Sequence, residues 1–321
     1  MLGLILLVQA LSVVVGGPPT SPEYLPIRVA ESEGYFTREG LAVTVRSTRA
    51  ESGAAEALAQ GQADVAATSL EAMLRFGQRP GASPVKLVFG LTAAPPGALL
   101  VSIAHADQVG AVNDLAGTRI GFASPGAPEH AWLVALLARA HLTPAQVDLR
   151  SLGSRALTAA IEAGDVHAGF VLEAAATRLV NEERARALVK LISPRAVAEA
   201  LGGPTVHAAI FVRADRRPRD GDLLALARAL LAAERLLTTE TPASLGGRLP
   251  REVVGVAGEF ERRLDTTRSI YLRDGLVSPD AVARTLEIIR GHLPLPPTVR
   301  VPSPQQLLFL DPLRRALGPR R

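Results

Sequence analysis

The chain of 321 residues contains no cysteine. That absence excludes disulfides, thiolate nucleophiles, thiolate zinc sites, iron–sulfur clusters and the acylated cysteine of a lipoprotein. Aromatic residues make up only 4%, too few for the interleaved basic and aromatic stripe that marks a nucleic-acid reader. Charge of one sign is scarce too. Against 31 Asp and Glu stand 35 Lys and Arg, and the small basic excess is Arg concentrated towards the end of the chain. Its densest run, RADRRPRD (213–220), reads as a solvated loop ahead of a helix over 221–237. No H-E-x-x-H, no G-x-S-x-G and no G-x-x-x-x-G-K-[ST] occurs. His105, His130, His141, His167, His207 and His292 include no i, i+4 pair for zinc. No enzyme class, cofactor or metal is expected.

Long apolar runs are also lacking. The opening MLGLILLVQALSVVVGG falls short of the roughly 20 apolar residues of a membrane span. Residues 1–10 read as the tail of a signal peptide, with Val8 and Ala10 as the small residues before a cleavage point, and Leu11 to Gly16 as a first strand. The positive segment such a leader carries is missing, which fits a start codon set too far downstream. An uncleaved anchor is the alternative.

What is present is a repeated plan. ALAQGQADVAATS (57–69) returns as AAIEAGDVHAGFV (159–171). Each copy runs a small-residue helix into a glycine, Gly61 or Gly164, and then into an apolar strand. Glycine closes a helix at low cost in the left-handed conformation. Around these copies strands and helices alternate: LAVTVRS (41–47), a helix over 51–60 capped by Ser52, ADVAATS, a helix near 70–77, then VKLVFGLT (85–92) and GALLVSIA (97–104). A second series begins at residue 112. Alternation of this kind predicts mainly parallel, helix-covered sheets, and the length allows two lobes. From 221 onward the pattern is helical, with DLLALARALLAAERLL the clearest amphipathic face. The proline-rich end packs on the first lobe or hangs partly free.

Three blocks, GYFTREGLAV, ALAQGQADV and DLAGTRIG, resemble in order and spacing the solute-binding proteins of ABC importers in the nitrate/sulfonate/taurine and thiamine-precursor group. The likeness runs from about residue 11 to about 245. It implies an α/β fold of the type II periplasmic-binding-protein kind: two lobes, a ligand cleft between them and two crossing strands as the hinge. It further implies export to the periplasm, capture of a small polar or anionic solute by closure, and partners in an ABC permease and ATPase. A monomer that binds no nucleic acid is expected. The lobes are expected as 11–101 and 211–321 for the first and 102–210 for the second, with crossings near Leu100–Ser102 and Ile210–Val212. Two departures stand out. His167 replaces the acid that matches Asp64, and VLEAAA keeps Glu173 but lacks the family's following proline.

Open sheets present ligands beyond the carboxyl ends of their strands. Candidate ligand residues are therefore Thr20, Ser21 and Tyr24 after the first strand, Arg49, Glu51, Ser52 and Gly53 at a helix start, Thr68, Ser69 and Thr92. In the second lobe they are Ser124, Gly126, Glu129, His130 and Glu173. Free N–H groups at the helix starts near Ser52 and Ser124 point to an anion, with Arg49 as a charged partner. Each residue also has a plain structural alternative: Ser52 a cap, Arg49 a solvent-facing loop residue, Tyr24 a core aromatic. A freestanding sensing or scavenging module of the same fold is the rival reading. A thiamine-pyrimidine-synthase-like enzyme is a weaker one, because that branch carries a cysteine motif.

Overall fold

The computed structural model describes residues 10–77, 85–125, 127–292, 295, 297 and 299–318. The expected leader, apart from Ala10, lies outside the described residues. In chain order, β1 (Leu11–Val15), α1 (Leu25–Ser32), α2 (Tyr35–Arg38), β2 (Val43–Ser47), α3 (Glu51–Ala59), β3 (Val65–Ser69), α4 (Leu70–Phe76) and β4 (Val85–Gly90) form the first lobe. The second lobe follows with β5 (Gly97–Ser102), β6 (Arg119–Phe122), α5 (Pro128–Arg139), β7 (Asp148–Ser151), α6 (Ser154–Ala163), β8 (Ala168–Leu172), α7 (Ala175–Asn181), β9 (Ala185–Leu191) and α8 (Pro194–Leu201). β10 (Ala208–Arg213) returns to the first lobe. There α9 (Asp220–Thr239), α10 (Pro242–Gly246), α11 (Arg251–Val254), α12 (Ala257–Thr267), α13 (Pro279–His292), α14 (Pro304–Leu307) and α15 (Asp311–Leu317) complete it.

The two sheets share one plan. Their strand orders are β2-β1-β3-β10-β4 and β7-β6-β8-β5-β9. In each, the first three strands are parallel and the fourth is antiparallel to both its neighbours. The fourth strand is the one exchanged: β5 leaves the first half of the chain to join the second sheet, and β10 makes the reverse trip. The sheets are thus mixed rather than mainly parallel. Central strands β3 and β5 are buried on both faces, as their continuous apolar runs require. Edge strand β2 alternates half-buried and exposed residues.

This pairing corrects the expected hinge. β5 pairs with β8 and β9 from Gly97 onward and β10 pairs with β3 and β4 from Ala208. Leu100–Ser102 and Ile210–Val212 therefore lie inside sheets. Boundaries at 101/102 and 210/211 cut through the exchanged strands β5 and β10. The chain crosses instead at 91–96 and 202–207. These crossings are bonded to each other and to β10: the His207 amide donates to Thr92 O at 2.8 Å, Leu91 N to Ala208 O at 2.8 Å, and Thr205 Oγ1 to Ala93 O at 2.8 Å.

Local expectations stand at the repeat. Gly61 and Gly164 are both left-handed (φ 71° and 75°) behind α3 and α6. The strand starts that follow are bonded alike. Asp64 N donates to Ser12 O at 3.0 Å and Asp64 Oδ2 accepts from Ser12 N at 2.9 Å. His167 N donates to Arg119 O at 2.9 Å and His167 Nδ1 accepts from Arg119 N at 3.3 Å. An imidazole nitrogen thus takes the part of the missing carboxylate. Burial lowers the His167 pKa, which keeps that nitrogen free to accept.

The described part of the C-terminal segment wraps the first lobe. Phe309 N donates to Leu87 O at 2.9 Å on the edge of β4, and Arg217 lies 3.9 Å over the Phe309 ring. In RADRRPRD, Arg213, Arg217 and Arg219 pair with Asp215, Asp220 and Asp222. Local neutralisation of this kind fits the solvated-loop reading. No helix among the described residues is long and apolar enough to cross a membrane.

Candidate functional site

Several chain segments converge where the lobes face each other: the turn after β1, the starts of α3 and α4, the hinge, and the start of α5. Glu51 is the centre. It opens α3, and Gly16 at the end of β1 lets the helix come close, because a Cβ on Gly16 would stand 2.9 Å from Glu51 Cα. Tyr24 Oη donates to Glu51 Oε1 at 2.5 Å and Ser69 Oγ to Glu51 Oε2 at 2.6 Å. Thr68 Oγ1 donates to the Glu51 carbonyl at 3.0 Å. Ser69 also caps α4 by accepting from Ala72 N at 3.1 Å. Burial raises the Glu51 pKa, and the Ser69 and Tyr24 hydrogen bonds oppose that rise. Burial also drives the Tyr24 hydroxyl well above its usual range, with the Glu51 charge adding to the effect.

Three more acids on these elements are shifted by burial and feel the Glu51 charge. Glu71, in the first turn of α4, is 4% exposed. Its Oε1 lies 3.2 Å from Arg75 Nη1, while Oε2 is buried without a hydrogen-bond partner. Burial, with Glu51 and Glu129 adding repulsion, pushes Glu71 up to about 8. Glu129, in the first turn of α5 and 5% exposed, comes from the opposite lobe. Burial pushes it to about 7, its own backbone hydrogen bond opposing and the Glu51 charge adding. Glu23, half-buried beside Tyr24, is likewise raised to about 7 by burial, with Glu51 and Glu129 contributing.

His207 closes the floor at the hinge. Its Nε2 lies 3.9 Å from Glu51 Oε1, and burial lowers its pKa to about 3. The pair is therefore a neutral imidazole beside an acid and not a salt bridge. Trp132 of α5, 3% exposed, meets the His207 ring edge-on at 6.0 Å. Two side-chain bonds join the lobes directly: Thr177 Oγ1 of α7 and Thr266 Oγ1 of α12 share a hydrogen bond at 3.2 Å, and Ser269 Oγ donates to Ile192 O at 2.7 Å.

Of the expected ligand residues, the structure gathers Tyr24, Thr68, Ser69 and Glu129 around Glu51. Thr92 is fully buried in the hinge, its hydroxyl accepting from Ala208 N at 3.3 Å. Thr20 and Ser21 are half-buried in the loop after β1. Ser52 and Gly53 lie inside the first turn of α3, whose N-cap is Ala50 and not Ser52. Arg49 is exposed and has no ion pair among the described residues. Ser124 is exposed, and Gly126 lies outside the described residues. His130 stacks on Phe122 at 4.5 Å. Glu173 Oε2 accepts from Thr177 N at 3.0 Å and so caps its own loop. Glu23, Glu71, Trp132 and His207 were not expected. The signal for Glu71 was the acid two residues past the Ser69 cap; Trp132 and His207 left none.

Both helix starts expected to hold an anion carry an acid in their first turn: Glu51 is the first residue of α3 and Glu129 the second of α5. An acid there interacts favourably with the helix dipole and competes with an incoming anion.

The family model described as NMT1/THI5 like matches residues 21–199, more than half of the chain. No curated protein matches significantly. Among solved structures, the alkanesulfonate-binding protein SsuA from Xanthomonas axonopodis pv. citri, bound to MOPS, is similar at 20% identity and TM-score 0.66, over 94% of this chain and 98% of that one. The periplasmic nitrate-binding protein NrtA from Synechocystis PCC 6803 is similar at 15% and 0.69, over 96% and 88%. A DszB mutant in complex with biphenyl-2-sulfinic acid is similar at 15% and 0.65, over 96% and 99%. The shared feature is the type II two-lobe fold of periplasmic binding proteins.

Proposed function

The chain belongs to the NMT1/THI5-like family, and from that premise we propose that it is an extracytoplasmic solute-binding protein of an ABC importer. It captures a small polar solute by closing two lobes, hands it to a permease and leaves it chemically unchanged. The observation that carries this reading is the exchange of β5 and β10 between two like sheets, which leaves two lobes joined by two crossing segments, with the hydrogen-bonded Glu51 side chain beside those crossings. A cleft whose walls come from two hinged bodies traps a ligand by closure. SsuA and NrtA, which share the fold, are sulfonate- and nitrate-binding proteins by name. The enzymatic reading has less support, because Ser69, the serine that lies against the Glu51 carboxylate, is fully buried and tied into the fold. The Ser69 hydroxyl is committed to the Glu51 carboxylate and to the cap of α4.

The absence of native cysteine allows a clean test. Thr177→Cys with Thr266→Cys places two thiols on facing lobes, where the native hydroxyls lie 3.2 Å apart. Oxidation should lock the lobes, block uptake of added solute and trap solute already bound, and reduction should restore exchange. Unchanged exchange in the oxidised, cross-linked protein would refute binding by closure.

A further inference from the structure

We propose that the outer edge of β9, in the second lobe, docks an extended segment of a partner protein that carries a bulky apolar side chain and, three residues further on, an acid. This goes beyond solute binding and holds whether or not the cleft takes a solute.

β4 and β9 occupy the same place in their sheets, at the end beyond the exchanged strand. Their pairing also matches residue for residue. In the first lobe the third and fourth residues of β10, Ile210 and Phe211, pair with Phe89 and Leu87, so Val88 bulges. In the second, the third and fourth residues of β5, Leu99 and Leu100, pair with Val189 and Ala187, so Leu188 bulges. Lys86, Leu87 and Gly90 thus correspond to Arg186, Ala187 and Lys190. The outer edge of β4 is taken by the chain's own C-terminal segment: Leu308 bridges Leu87 in parallel, Phe309 N donates to Leu87 O at 2.9 Å, and Lys86 Nζ donates to Gln306 O. Among the described residues nothing pairs with the outer edge of β9. Burial follows the difference. All of β4 except Lys86 is buried, whereas Arg186 to Lys190 of β9 are exposed or half-buried. A bulge and a basic side chain ordinarily protect an edge from added strands, yet β4 has both and is covered.

The free edge is also shaped to receive more than backbone. A groove of about 470 Å³ lies along it, with Ile103, Val180 and Ala187 as apolar lining and Arg186 and Lys190 among its charged residues. Ile103 is 51% exposed, one of three large apolar side chains left open to solvent among the described residues. Arg186 is already held by Ala106 O and Val109 O. Lys190 is exposed and has no ion pair among the described residues. Glu183, the acid of the groove, precedes the strand and stands at its other end. Counted along parallel strands, a residue three places past the one that bridges Ala187 comes level with Lys190. Backbone bonds to a sheet edge supply affinity, and the side chains beside it select the segment.

The probe is the labelled peptide of residues 303–312, which has this spacing in Leu308 and Asp311, titrated with the full chain by fluorescence anisotropy at low salt. A second peptide has lysine in place of the aspartate. The first should bind saturably and more tightly than the second. Lys190→Glu should reverse that preference, by roughly fivefold each way. Ala187→Pro, which takes an N–H from the free edge, should abolish binding of both; if that variant does not fold, the reversal by Lys190→Glu decides. No binding of the first peptide, or binding that Lys190→Glu leaves unchanged, would overturn the proposal. A dimer of the chain alone in sedimentation, broken by Lys190→Glu, would also overturn it, because the edge would then belong to a second copy.

Discussion

Ser69→Ala tests the centre of the site. The hydroxyl is fully buried and does two things: it accepts from Ala72 N to cap α4, and it donates to Glu51 Oε2 at 2.6 Å. Losing an N-cap costs about 1 kcal/mol, and losing a hydrogen bond to a charged acceptor about 1.5–3 kcal/mol. The methyl that remains fills nearly the same space, so the cavity cost is small and the sum is about 2–4 kcal/mol. For a chain of this size that corresponds to a fall of roughly 4–8 °C in melting midpoint. Denaturant titration of the wild type, Ser69→Ala, Glu51→Gln and the double variant separates the two parts. The cap survives in Glu51→Gln, so only the bond to the carboxylate should couple, by about 1–2 kcal/mol. A loss below about 0.5 kcal/mol in Ser69→Ala, or strict additivity in the cycle, would refute the assignment of Glu51 as a carboxylate held by hydroxyl donors.

Other expectations follow from the same geometry. Burial raises Glu23 and Glu129 to about 7 and Glu71 to about 8, so the folded state holds protons that the unfolded chain releases near pH 4.5. Their contribution is fully present below that pH and is lost as pH rises through 7 to 8. Glu129 alone accounts for at most about 3 kcal/mol, less where opening of the lobes relieves the repulsion. Melting midpoints between pH 5 and 8.5 should fall, and Glu129→Gln should flatten the slope. Gly16→Ala drives a Cβ to 2.9 Å from Glu51 Cα. It should destabilise by about 1–3 kcal/mol and weaken ligand binding in calorimetry. His167→Asp should leave stability within about 0.5 kcal/mol, since a carboxylate serves the matching position in the first lobe, whereas His167→Leu removes the acceptor for Arg119 N and should cost about 1 kcal/mol by denaturant titration.

The repeat was legible because it is local. A helix, a left-handed glycine and a buried strand are written within about a dozen residues, and Gly61 and Gly164 take the conformations that this spelling demands. The exchange of β5 and β10 was not legible, because GALLVS and AAIFVR are apolar up to their last residue and a run buried on both faces carries no mark of the sheet it joins. The site divides in the same way. Thr68, Ser69 and Glu51 sit at strand and helix ends, where chain order alone fixes their place, and the structure brings them together. Arg49 is only two residues from Glu51, yet a loop residue is free to point at solvent, and it does. The expected anion came from counting free backbone donors at two helix starts without weighing the side chains of the same turns. Glu51 and Glu129 stand in those turns, so each helix start carries an acid that interacts favourably with its dipole and that a count of backbone donors alone leaves out.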